Sequence, residues 1–209
     1  MTRVMARRRA VVRTAAWTVP AISVAVAAPS FATSCAPTYQ TITKTFVYKD
    51  ALSNNVTVEV TAQNVPMTAP AGAVLDPIVT SSVVTISAAS ADLLKSFLLG
   101  NPAEIGGTSV STTTLSGAYS ATATTNLTIA RAAAPPSGQP LVTQAGGTGT
   151  ASTIPSGTSP GVVTLTMGSP QSTLIGYNSS GGQTGTYNST LNQINGNDYT
   201  LGTFNVVAC

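Results

Sequence analysis

Asn55-Val56-Thr57-Val58-Glu59-Val60-Thr61-Ala62 alternates apolar with polar side chains from Val56 onward. Successive side chains of an extended chain leave opposite faces, so Val56, Val58 and Val60 share one face while Thr57, Glu59 and Thr61 share the other. One face is therefore buried and one is wet, the signature of half-buried antiparallel sheet. The same β-branched vocabulary recurs over 42–48, 82–87, 109–115, 118–129, 161–167 and 199–207. Turn-forming groups separate these runs, among them 49–55, Ser116-Gly117, Ser180-Gly181-Gly182 and Asn195-Gly196-Asn197-Asp198. The pattern predicts an all-β, antiparallel sandwich.

One segment, 90–102, breaks the alternation and predicts a short helix. Ser90 is its expected cap and Asp92 complements the helix dipole. Leu93, Leu94, Phe97 and Leu98 form its apolar face, and Gly100 with Pro102 stop it. Its expected task is to plug an open end of the sandwich. From 132 to 161 the composition turns to Ala, Pro, Gly, Ser and Thr, as in a linker. Leu141-Val142 and Ser152-Thr153-Ile154 interrupt it with strand-like pieces, so a single domain over 33–209 is expected.

Residues 1–32 have the anatomy of an export signal: Arg3, Arg7, Arg8, Arg9 and Arg13, then an apolar stretch over 19–28, then Ser30-Phe31-Ala32. The apolar stretch is shorter than the roughly 20 residues of a membrane-spanning helix, and cleavage is expected between Ala32 and Thr33. Arg8-Arg9-Ala10-Val11-Val12 fits a twin-arginine arrangement. Without this segment the formal charge changes from +3 to −2, because Lys44, Lys49, Lys95 and Arg131 face six carboxylates. No basic cluster remains for phosphates, so nucleic acid is an unexpected partner.

Cys35 lies just beyond the expected cleavage point and Cys209 is the last residue. An even cysteine count in an exported chain predicts a disulfide between them. Lipidation of Cys35 is the alternative, but Ala32-Thr33-Ser34 lacks the bulky aliphatic residue that signal expects.

Only 7% of residues are charged and none is histidine. Histidine-based triads, general bases and imidazole metal sites are thereby excluded. Asp50, Glu59, Asp76, Asp92, Glu104 and Asp198 are the only acids, and no spacing marks a pair for acid/base work; a convergence of Asp76, Glu104 or Asp198 in a cleft is the enzymatic alternative. Asn195, Asn197 and Asp198 lack the regular alternation and distal Glu of a calcium loop and are read as a hairpin turn. No metal or cofactor is expected. Tyr177 and Tyr187 flank Gly181-Gly182 and form either a binding surface for glycan or protein, or a cross-strand packing pair.

Several features together resemble a family of uncharacterised secreted or cell-surface domains of actinobacteria. They are Cys35, Val58-Glu59-Val60 followed by Pro66 and Ala71-Gly72, the leucine-rich stretch before Ile105-Gly106-Gly107, Pro135-Pro136-Ser137-Gly138, and Leu201-Gly202-Thr203-Phe204 ahead of Cys209. The resemblance implies an immunoglobulin-like β-sandwich with paired terminal cysteines and no known activity. The expected function is a non-catalytic, exported structural or interaction module of the cell envelope, retained without a covalent anchor on envelope glycan or protein. A secreted carbohydrate- or protein-binding inhibitory module is the alternative.

Overall fold

The computed structural model describes residues 35–51 and 53–209, so the expected export segment and the cleavage point between Ala32 and Thr33 lie outside the described residues. Thirteen strands follow one another: β1 Thr38–Lys49, β2 Asn55–Pro70, β3 Val74–Leu75, β4 Val79–Ile86, β5 Glu104–Gly117, β6 Ala121–Ala133, β7 Leu141–Thr148, β8 Ser152–Thr153, β9 Gly161–Met167, β10 Gln171–Tyr177, β11 Gln183–Thr190, β12 Asn192–Gln193 and β13 Thr200–Val207. The all-β expectation holds. The pairing, however, joins eleven strands into one sheet that closes on itself through seven of them, while β3 and β8 pair as a separate two-stranded sheet. The ring runs β5-β6-β7-β4-β2-β13-β9 and back to β5.

Two long strands make this closure. β2 pairs β4 over 56–63, then passes a bulged stretch and pairs β13 in parallel over 68–70. β5 pairs β6 along most of its length but changes its second partner, from β10 over 104–110 to β9 over 113–117. The alternation that predicts β2 is obeyed: Val56, Val58, Val60 and Ala62 are buried while Thr57 and Glu59 are exposed.

A helix α1, Ala88–Leu93, continues into a π-helical turn, Leu94–Leu98. It begins earlier than the sequence suggests. Ser87, one residue after β4, is the cap and accepts from the Ser90 backbone N–H at 3.4 Å, whereas Ser90 itself is buried. The expected apolar face is also rearranged. Leu99 N–H donates to the Leu94 carbonyl at 2.9 Å, a five-residue spacing that brings Leu94 and Leu99 onto the inner side. Leu93, Phe97 and Leu98 are left exposed, Phe97 at 78%.

Buried apolar residues form two clusters. The larger contains Phe46, Tyr48, Tyr199 and Phe204, and the smaller lies under the helix around Leu99, Ile105, Leu141 and Leu174. Thr80, Ser82, Ser109, Ser111 and Thr143 are the buried hydroxyls of the interior, and residues of both clusters meet around them. The 132–161 stretch is not a linker. Its Gly146-Gly147 lies inside β7, and Gly147 is needed there because a Cβ would collide with the Asn126 carbonyl of neighbouring β6.

Candidate functional sites at the sheet edge and in the barrel

Cys35 and Cys209 are disulfide-bonded, with Cα atoms 6.0 Å apart. The bond ties a residue three positions before β1 to one two positions after β13, closing the domain end to end. Such a bond is compatible with an extracellular protein. Among the described residues no helix is long and apolar enough to cross a membrane.

Tyr177 and Tyr187 are placed on adjacent strands but do not form one surface. In the β10–β11 ladder Tyr187 stands opposite Leu174, whose side chain is buried in the helix-side cluster, and Tyr187 packs against that cluster. Tyr177 lies an odd number of residues from Leu174 and so leaves the other face. The Arg131 guanidinium sits over its ring, 3.4 Å from the centroid. Arg131 reaches it from β6 by crossing β5 at Gly106, where an added Cβ would lie 2.9 Å from Arg131 Cγ. The sequence motif Ile105-Gly106-Gly107 thus supports a pair of the exposed Arg131 with the half-buried Tyr177, and Glu104 stands directly opposite Tyr177 in register.

The sheet path ends at β11 on one side and at β12 on the other. β12 has two residues and covers only Tyr48 and Lys49 of β1, so β1 is open over 38–47, an edge that carries Lys44, the kind of residue that blunts strand addition. β11 has eight, Gln183-Thr184-Gly185-Thr186-Tyr187-Asn188-Ser189-Thr190, and carries no charge. Its side chains alternate between exposed and half-buried. Beyond the irregularity at Thr184, this edge runs without Lys, Glu or Pro, the type of edge that accepts an additional strand.

The acids are dispersed. Asp50 Oδ1 accepts from Asn54 N–H at 2.8 Å within its own turn. Asp92 bonds Lys95 at 3.0 Å and accepts from Ser137 Oγ at 3.0 Å and Gly138 N–H at 2.9 Å, so it clamps the Pro-rich loop to the helix. The Gly138 bond, with Lys95 and Ser137, holds this carboxyl below the usual range. Asp198 accepts from Thr200 N–H at 2.8 Å and is likewise lowered, chiefly by Thr200. It belongs to the turn in which Asn197 N–H donates to the Ile194 carbonyl at 3.1 Å, where Asn195 also sits. Of Asp76, Glu104 and Asp198, Asp76 alone borders the barrel interior, and it is exposed at the rim. Among the described residues no three His, Cys, Asp or Glu side chains gather.

The interior holds what the sequence does not announce. A cavity of about 150 Å³ is lined by Leu75, Leu115, Leu165, Phe204 and Tyr119, and Val60, Thr80, Ser111 and Met167 separate it from a second space of about 50 Å³. Tyr119 enters from the turn between β5 and β6, and its ring meets Phe204 edge-on at 6.3 Å. Its Oη is buried without a hydrogen-bond partner, and burial raises its pKa. Only an isolated tyrosine within an uncharged turn hinted at this residue.

The fold and its two sites define an all-β barrel closed by seven strands and fastened by a terminal disulfide. The chain belongs to a family of unknown function, DUF6801, whose match covers residues 38–202 and so spans the ring from the start of β1 into β13. Neither a curated protein nor a solved structure matches it.

Proposed function

We propose that this chain is an exported, non-catalytic interaction module of the actinobacterial cell envelope, retained by strand addition at the free edge of β11. The observation that carries the reading is the contrast between the two open edges of the sheet, β1 over 38–47, which carries Lys44, and the uncharged eight-residue β11. Backbone N–H and C=O groups on such an edge supply affinity, and alternate side chains supply selectivity. The Arg131–Tyr177 pair lies on the same β10–β11 side of the domain. One face of Tyr177 is covered by Arg131, which favours a protein partner over a glycan stacked on that face. The immunoglobulin-like relationship remains part of this proposal, supported by the β-strand content and by the hand-over of β2 from an antiparallel to a parallel neighbour.

Fractionation of the source cells tests it. Wild-type protein should stay with the envelope through buffer washing and leave in mild denaturant without detergent or glycan digestion. Thr186→Lys/Thr190→Lys, which places charge on two exposed edge positions, should shift the folded protein to the medium. Release only by detergent or by digestion of the wall, a wild-type protein found wholly in the medium, or unchanged retention of the double variant would each overturn the proposal.

A further inference from the structure

A buried tyrosine hydroxyl without a partner costs about 1–3 kcal/mol relative to a satisfied one, so its position calls for a physical reason. Tyr119 Oη is in that state at the wall of the interior cavity, and the Phe204 contact orients its ring. The remaining wall combines apolar side chains, Leu75, Leu115, Leu165 and Phe204 among them, with hydroxyls such as those of Thr80, Ser111, Thr122, Thr124 and Thr150. The nearby Thr113 Oγ1 is already directed to Met167 Sδ at 3.6 Å. A cavity of about 150 Å³ accommodates a molecule of benzene size, and its hydroxyl-bearing wall suits a ligand that carries an oxygen.

The barrel wall is thinly joined at this place. β6 pairs β7 only at Thr128 and Ile129, with Asn126 and Thr125 lying against Gly147 and Gly149, and residues 121–125 of β6 line the cavity. Residues 121–124 are exposed.

The geometry points to a binding site for an uncharged, single-ring small molecule carrying one carbonyl or hydroxyl oxygen. The oxygen accepts from Tyr119 Oη, and the ring lies between Leu115, Leu165 and Phe204. Among the described residues no cationic side chain lines the cavity, and Asp76 stands at the rim, so an anion would lose its hydration with no counter-charge. Entry is through the β6–β7 seam. This site is independent of the β11 edge and stands or falls separately from it.

Cyclohexanone and toluene serve as probes, because they match in size and differ in the oxygen. Methyl resonances of the 33–209 protein are followed during titration of each. Cyclohexanone should shift the Leu75, Leu115 and Leu165 methyls saturably. Tyr119→Phe should weaken it about tenfold, the loss of one hydrogen bond, while leaving toluene binding within about twofold. Retained toluene binding shows that the variant keeps its cavity. Should Tyr119→Phe lose cooperative melting, wild-type protein is compared with cyclohexanone and methylcyclohexane, and about tenfold preference for the ketone is expected. Absence of saturable shifts at these methyls, shifts confined to other residues, or equal affinity with and without the oxygen would overturn the inference.

Discussion

Replacing both cysteines, Cys35→Ala/Cys209→Ala, tests the end-to-end closure quantitatively. The bond joins residues 174 apart in sequence, so it removes much of the freedom of the unfolded domain. The chain-entropy relation gives about 5 kcal/mol for a loop of this size, and measured values for such bonds run from about 2 to 5 kcal/mol. The native state has little to lose locally, because Cys209 lies beyond the end of β13 at Val207 and Cys35 lies before the start of β1 at Thr38. The ring itself is held by the pairing of β13 with β2 and β9. The effect should therefore appear in the unfolded state. Equilibrium urea unfolding of the 33–209 protein, followed by circular dichroism, should show a loss of about 3–5 kcal/mol. With a urea slope near 2 kcal/mol/M, that is a midpoint shift of roughly 2 M. The slope should rise, since the unlinked unfolded chain exposes more surface. A midpoint shift below about 0.5 M with an unchanged slope would refute this reasoning and reduce the bond to a clip on two frayed ends.

Two further outcomes follow from particular hydrogen bonds. Tyr199 Oη accepts from Ile194 N–H and donates to the Val47 carbonyl, each at 2.7 Å, so Tyr199→Phe should cost about 1–3 kcal/mol in urea unfolding; a change under about 0.3 kcal/mol would show that neither bond matters. Asp92 and Asp198 have folded pKa values below their unfolded ones, so their stabilisation is full above the unfolded value near 4 and is lost as pH falls through the folded values. Urea midpoints at pH 7 and pH 3 should differ less in Asp92→Asn/Asp198→Asn than in wild type, and an equal difference would contradict the assignment.

How much of this was legible depends on what each strand buries. β2 and β9 announce themselves because Val56, Val58 and Val60, or Val163 and Leu165, alternate with polar residues. β7 hides because its inner positions are Leu141, Thr143 and Ala145, followed by the glycine pair that lets β6 approach. β10 and β11 hide for the same reason: Leu174 and Gly176 are the buried positions of β10, and β11 has none. Composition marks only fragments of such strands, Leu141-Val142 in β7 and the Tyr177 and Tyr187 positions of β10 and β11. The helix was legible in existence and misplaced in phase, since a five-residue turn at Leu94–Leu98 cannot be told from a four-residue one by spacing of leucines alone. Closure was not legible, because the parallel β2–β13 contact joins the two ends of the domain through three residue pairs.

The two proposed sites share one strand and use different halves of it. Residues 104–110 of β5 carry β10, and through it the free edge of β11; residues 113–117 carry β9, while Ser111, Thr113 and Leu115 line the cavity. At the first half Gly106 lets Arg131 cross the strand to Tyr177, a surface feature. At the second half small side chains leave the interior unfilled, and the turn beyond Gly117 delivers Tyr119 into it. Strand addition at β11 extends the sheet outward through main-chain bonds and does not require the second half of β5 to move. Occupancy of the cavity, in turn, acts on the β6–β7 seam, where only two residue pairs hold the wall closed. A partner on the edge and a small molecule in the barrel can therefore be bound at once, with β5 as the rigid element between them.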